Sequence, residues 1–224
     1  MTKRPPRTGL PRRALRGARV PGSSRNPLAA WRWVCPMRAD GGASDTAAMA
    51  MDEIIGDYAA FFAQQKARLA ALSISIAGYP LSHLAFRTET LDAYLVIRER
   101  IEAFCVANVE NVWNGRPISK LLLREPIHVE PGVPVSLIEL IPPPHQNVYQ
   151  MGLEHVGVVV TGDFEAFASA HAGVFTGRQY QSEICQPWYI AFEDHTNVKF
   201  YDLSLHDVVV AEGRPFDGFH HAID

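Results

Sequence analysis

Apolar residues recur at near-helical spacing through Ile54, Ile55, Tyr58, Phe61, Phe62, Leu69 and Leu72, which predicts an amphipathic helix over residues 52–72. Gly78-Tyr79-Pro80 breaks that pattern. From Leu81 the period becomes two, with Leu84 and Phe86 on one face and His83, Ala85 and Arg87 on the other, as in a strand over 81–87. Helical spacing returns over 89–107, where Leu91, Tyr94, Leu95, Ile101 and Phe104 share a side. A hairpin follows, with strands at 109–113 and 118–124 around the turn Asn114-Gly115-Arg116-Pro117. A further strand, 135–141, is closed by Pro142-Pro143-Pro144, which cannot continue a ladder.

After the prolines the order repeats. A strand over 153–160 precedes a helix over 163–172, a weak strand near 178–184, a strand over 188–192 and another over 198–202. Ser204 and Asp207 form a capping pattern for a short last helix that ends near Gly213. Each half therefore reads β-α-β-β-β. The fold class is α+β with a duplicated module, about 81–141 and 153–202, preceded by an extra N-terminal helix and followed by a short tail, 214–224.

The first fifty residues do not follow any such period. They are rich in Arg, Pro, Gly and Ser, hold ten Lys and Arg against two Asp, and have no acid before Asp40. Such a segment buries too little surface to offset its chain entropy, so a disordered basic tail is expected. It reads either as a transit peptide or as upstream sequence preceding a true start at Met37, Met49 or Met51. Residues 51–224 carry a net charge near −11, which argues against nucleic acid as a partner. No run of 18 apolar residues exists, so no membrane-spanning helix is expected. Cys35, Cys105 and Cys185 are widely spaced, which suits a reducing compartment: the cytoplasm, or the mitochondrion if the tail is a transit peptide. The oligomeric state is not legible.

The chemistry lies in matching slots of the two halves. His83 is in the first strand of one half and His155 in the first strand of the other. Glu139 sits within Ile138-Glu139-Leu140, and the corresponding tripeptide of the second half is Val198-Lys199-Phe200. An ionisable residue between two large apolar ones points away from the core, beside its counterparts. Two imidazoles and a carboxylate on one sheet face suit a divalent metal with open positions. The competing reading has them facing solvent at unrelated places. Arg87 shares the face of His83 by parity and Arg116 lies in the hairpin turn; either could anchor a substrate carboxylate or phosphate, or form a surface ion pair. His145, His220 and His221 read as exposed and idle.

Six segments then carry a resemblance: Ser82-His83-Leu84-Ala85-Phe86-Arg87, Asn114-Gly115-Arg116-Pro117-Ile118, Leu123-Arg124-Glu125-Pro126, Ile138-Glu139-Leu140, Glu154-His155-Val156 and Lys199-Phe200. In this order they resemble YecM-like proteins of the vicinal-oxygen-chelate superfamily, which includes glyoxalases, extradiol dioxygenases and bleomycin-resistance proteins. The resemblance spans about residues 52–210. It implies paired βαβββ modules whose mixed sheet curls round a metal-centred cavity, within a domain of about 51–213. By position it implies His83, Glu139 and His155 as metal ligands.

Two positions depart from the family's pattern, which has Asp where Ser82 stands and His where Tyr201 stands. Lys199 occupies a slot that holds a glutamate ligand in many members of the superfamily. An ammonium about 4 Å from a divalent ion is opposed by roughly 8 kcal/mol at an effective dielectric near 20. Lys199 therefore turns away, acts as a neutral base, or marks a site without metal; Tyr201, on the same face, could supply a phenol. Three functions remain open. The first is a metal-dependent enzyme of isomerase, epimerase or oxygenase type acting on a small anionic molecule, with Fe, Mn, Co, Ni or Zn as the ion. The second is a metal-free protein that binds or sequesters such a molecule. The third is an interaction module that docks a partner through the N-terminal helix.

Overall fold

The computed structural model of the protein describes residues 50–143 and 151–223. The basic tail, His145 and part of the triple proline lie outside the described residues. The expected helix over 52–72 divides into α1 (Asp52–Ile55) and α2 (Tyr58–Ala71), because Gly56 takes φ 84° and Asp57 recaps the chain by accepting a hydrogen bond from the Ala60 N–H at 2.8 Å. Phe62, Gln65 and Leu69 of α2 are buried against the protein itself.

Module one is β1 (Leu81–Arg87), α3 (Leu91–Glu102), β2 (Cys105–Trp113), β3 (Arg116–Glu130) and β4 (Val133–Ile141). The helix expected over 89–107 stops at Glu102, and Cys105 already pairs with Leu123. No glycine or proline marks that change, so β pairing rather than local propensity decides it. Module two is β5 (Gly152–Val159), α4 (Phe164–Ala170), β6 (Gly177–Arg178), β7 (Trp188–Ala191) and β8 (Asn197–Tyr201). The weakly marked strand expected over 178–184 shrinks to the two residues of β6 and an isolated Ser182–Cys185 bridge. α5 (Leu205–Ala211) and β9 (Phe219–His220) complete the described elements. Ser204 caps α5 by accepting from the Asp207 N–H at 3.1 Å.

One sheet carries all nine of these strands, in the order β6-β7-β8-β5-β1-β4-β3-β2-β9. Each module has its first strand innermost, then its fourth, third and second. The two modules join through the antiparallel β1–β5 pair, while β1–β4 and β5–β8 are parallel. The sheet is mixed and unclosed, and the fold is α+β.

Its two faces differ in chemistry. Leu84, Ile138, Leu140, Val156, Val158, Val198 and Phe200 point into the main core with Leu69 of α2 and Tyr94 of α3. The alternate residues His83, Ala85, Glu139, His155, Lys199 and Tyr201 are also buried but lie on the opposite face, where α5 packs. Among the described residues no helix is long and apolar enough to cross a membrane.

Candidate metal centre

The β1–β5 pair builds the centre by matching large residues with small ones. His83 stands opposite Gly157, and Ala85 stands opposite His155. Each imidazole thus lies over the small residue two positions beyond the other. A Cβ on Gly157 would sit 2.5 Å from His83 Cε1, so the ring occupies space that only glycine leaves open.

The same pair is bulged twice. The register steps from Leu81–Val158 to His83–Gly157 and from Ala85–His155 to Phe86–Leu153, leaving Ser82 and Glu154 as the extra residues. A bulge lets two consecutive side chains approach one face. Ser82 Oγ accepts from the Leu205 N–H at 2.7 Å and lies 2.9 Å from His83 Nδ1. Glu154 Oε1 lies 3.3 Å from His155 Nδ1. In both modules the residue before the histidine therefore holds its Nδ1 and leaves Nε2 facing the other histidine.

The two Nε2 atoms are 3.1 Å apart. Glu139 Oε2 of β4 completes the group, 3.2 Å from His155 Nε2 and 3.7 Å from His83 Nε2. Both imidazoles are fully buried and Glu139 nearly so. Ligand bonds of about 2.1 Å place neighbouring donors roughly 3.0–3.4 Å apart in octahedral or tetrahedral geometry. The three atoms already stand close to that spacing, and two imidazoles with a carboxylate are a donor set that first-row divalent ions accept. The residues present fit such an ion.

Charge supports the fit. Burial is the largest influence on Glu139 and would raise its carboxyl, but the hydrogen bond to His155 and the nearby His83, His155 and Lys199 charges hold it well below the usual range. Burial also raises Glu154, yet contact with His155 and Arg87 brings it to about 2. Being ionised, Glu154 only accepts, so the contact at His155 Nδ1 is a donated N–H, and Nε2 is the nitrogen turned towards the gap. His155 Nε2 stands 3.2 Å from the Glu139 carboxylate, and a cation between them would take the place of that hydrogen bond. Burial lowers His83 to about 3, which keeps it neutral as a ligand must be.

Lys199 lies on this face opposite Gly157, near enough for its charge to act on His83, Glu139 and Cys185. The Tyr201 ring packs edge-on against His83 with centroids 5.4 Å apart. Burial first, then the Glu139 charge, pushes its hydroxyl well above the ordinary value, so it is a phenol and not a phenolate. Arg87 shares the face of His83, where it pairs with Glu154 and donates to the Pro142 carbonyl at 3.2 Å. Arg116 is not among the groups that meet Glu139 and the two histidines; its guanidinium stands 5.4 Å from the centre of the Trp113 ring.

Glu139 opens onto a cavity of about 390 Å³, walled by Val109 and Trp113 of β2, Lys120 of β3, and Leu205 and Val209 of α5. Lys120 and Glu139 are direct cross-strand partners. Sequence reasoning gave Ser82, Glu154 and Lys120 no role at the site. The signal for the first two was present: Ser82-His83 and Glu154-His155 each put two polar residues in succession where a regular strand alternates. Lys120 required the β3–β4 register.

Two βαβββ modules sharing one open, mixed sheet, with this group on the face away from the main core, make up the described body of the chain. The family profile described as YecM protein matches residues 50–186, and the chain belongs to that family. The structural-genomics structure of protein EC4020 is similar, at 23% identity and TM-score 0.55, over 71% of this chain and 93% of that one. A mutant of the fosfomycin resistance protein FosX from Listeria monocytogenes, complexed with Mn(II) and 1S,2S-dihydroxypropylphosphonic acid, matches at 12% identity and TM-score 0.22, over 58% and 96% of the two chains. An integron cassette protein from V. cholerae matches at 14% identity and TM-score 0.19, over 53% and 90%. Likeness at these two lower scores says nothing of this chain's activity. No curated protein matches the chain.

Proposed function

We propose that the protein is a metal-dependent enzyme of isomerase, epimerase or oxygenase type acting on a small anionic molecule. The observation that carries this reading is the convergence of one ligand atom each from His83, Glu139 and His155 within 4.8 Å of one another beside a cavity. A divalent ion held there would polarise a substrate oxygen and stabilise negative charge developing on it. The protein's own groups would do the rest. Ser82 and Glu154 fix the two imidazoles, Lys199 is placed to carry a proton, and the Tyr201 phenol packs on His83 and can donate a hydrogen bond. Burial of all these groups keeps water from the reacting atoms.

Elemental analysis of protein purified without added metal, followed by titration of Mn(II), Fe(II) and Zn(II), tests the proposal. His155→Ala should weaken binding at least tenfold, about 1.4 kcal/mol, and Lys199→Glu should strengthen it. Equal affinity in the wild-type and His155→Ala proteins would refute it. Lys199 supports a second reading, a metal-free small-molecule binder, because its ammonium opposes a cation in the gap. Metal-free protein that retains a small molecule through purification would establish that reading instead.

A further inference from the structure

The cavity above Glu139 has a charge pattern that the ligand group does not explain. Two cationic groups line it, Lys120 on β3 and Arg214 beyond α5, and a third, Lys199 on β8, is near enough for its charge to act on Glu139. Two carboxylates oppose them, Glu139 on the floor and Glu212 at the rim. Lys120 is 6% exposed, and it donates hydrogen bonds to the Asn111 side chain and the Ile118 carbonyl, both uncharged. Arg214 is exposed and forms no ion pair among the described residues.

Arg214 is not at the rim by accident of a loose tail. α5 ends in a paired turn in which the Gly213 N–H donates to the Val210 carbonyl at 3.0 Å and the Arg214 N–H donates to the Val209 carbonyl at 3.1 Å. Gly213 takes φ 80°, which only glycine adopts without strain. The backbone of Arg214 is thereby fixed one step from Val209, a wall residue. An exposed guanidinium at the mouth leads to a buried ammonium next to the floor.

We propose that Lys120 and Arg214 form an oxyanion clamp, and that the cavity takes a small molecule with a carboxylate or phosphonate head and an apolar body. This rests on the reading of the same cavity as a substrate site, and it names the charge and shape of the occupant. Arg214 and Glu212 balance at the exposed rim, while the buried Lys120 and Lys199 face the single carboxylate of Glu139, an excess of one positive charge that a divalent ion would raise to three. An excess buried in this way is costly unless an anion joins it. The guanidinium fork suits the planar oxygens of a carboxylate or phosphonate, and the ammonium supplies a second point charge. Leu205, Val208 and Val209 of α5 form an apolar side for the rest of the molecule. About 390 Å³ holds on the order of a dozen water-sized groups at ~30 Å³ each, which sets the scale of the ligand.

Calorimetry on the full chain with methylphosphonate and, separately, acetate tests the clamp, with and without Mn(II). Lys120→Met should weaken binding of whichever head group the cavity prefers by at least tenfold. Arg214→Gln should weaken it about threefold and flatten its salt dependence, while Arg178→Gln, a surface arginine paired with Glu165, should change nothing. Arg214 is exposed, so its variant remains informative even if Lys120→Met is unstable. The proposal is overturned if neither anion binds the wild type, or if both Lys120→Met and Arg214→Gln bind within twofold of it. Titrating Mn(II) against Lys120→Met separates the two claims. Unchanged or tighter metal with lost anion supports both, and Lys120-dependent anion binding without any metal binding leaves the clamp standing alone. Metal binding with an anion affinity indifferent to both variants removes the clamp and leaves the metal site.

Discussion

Gly157→Ala tests the packing on which the whole centre depends. The added methyl would lie 2.5 Å from His83 Cε1, 2.6 Å from His83 Nδ1 and 3.1 Å from Ser82 Cβ, whereas unstrained carbon contacts need about 3.5–4.0 Å. The imidazole cannot swing aside cheaply. Its Nδ1 is held by Ser82 at 2.9 Å, its Nε2 faces His155 at 3.1 Å, and the Tyr201 ring stands against it. Either His83 leaves the gap or the β1–β5 ladder spreads. Overpacking of this kind costs about 1–3 kcal/mol, and a chain of this length loses roughly 2–4 °C of melting temperature per kcal/mol. Thermal unfolding should therefore fall by roughly 2–12 °C, and divalent-metal affinity should fall at least tenfold. Gly173→Ala, whose Cβ would meet nothing within 4 Å, is the matched control. Adding His83→Ala to Gly157→Ala should recover part of the lost stability, a coupling that two unrelated defects would not show. A Gly157→Ala protein that melts within about 1 °C of wild type and binds metal equally well would sink the argument.

Other expectations follow from the same geometry. Glu154→Gln leaves Arg87 without its carboxylate and loosens the hold on His155 Nδ1; titration should show metal binding weakened by about 10–100-fold. Tyr94→Phe removes a buried hydroxyl that donates to Glu110 at 2.6 Å and lies 2.7 Å from Ser119 Oγ, and urea unfolding should show a loss of about 1–3 kcal/mol. The metal-free protein should lose stability in acid for two reasons of the same sign. His83 titrates near 3 when folded against 6.5 ordinarily, so the unfolded chain binds the extra proton and stability falls by up to about 1.4 kcal/mol per pH unit from 6.5 towards 3. Glu154 contributes stability above its ordinary 4.5 that is lost as pH falls through about 2. Urea midpoints at pH 7, 5.5 and 4 check this, and a flat series would contradict the burial of His83 as a neutral ring.

What could be read in the sequence was the alternation. Glu139 between Ile138 and Leu140, and Lys199 between Val198 and Phe200, had to leave the core side, and the order of elements placed both beside the two histidines. The duplication was legible for the same reason, since each half repeats its periods in order. Breaks in periodicity were not. Ser82 and Glu154 reach their histidines through bulges, which depend on how β1 pairs with β5 and not on either strand alone. Arg87 was correctly placed on the His83 face by parity, but its pairing with Glu154 needed the second bulge. The end of α3 at Glu102 was hidden because Phe104, Cys105 and Val106 continue an apolar run that suits helix or strand equally. Lys120 and Arg214 were hidden most deeply. The first meets Glu139 through the register of a long hairpin, and the second arrives through a turn defined only once α5 is in place.

The pairing of the modules also explains how such a site can fold before any ion arrives. A duplicated module offers two copies of every slot, and here the histidine slot is filled twice while the β4 and β8 slots differ in sign, Glu139 in one and Lys199 in the other. A second carboxylate in place of Lys199 would put two like charges on a buried floor, at a cost that only a bound cation could offset. With Lys199 there, Glu139 has a counter-charge before any ion binds, and the Glu154–Arg87 pair beside it is balanced. The centre can thus close around the neutral His83 ring and its partner His155 without metal. The consequence appears on loading: a divalent ion then adds charge to a floor that already holds two ammonium groups, Lys199 and Lys120. Affinity for the ion and affinity for an anion over it must rise together, because each relieves the charge the other leaves, and by linkage the coupling is the same in both directions. On the proposed reading, such a site would hold a metal most tightly when the cavity is occupied.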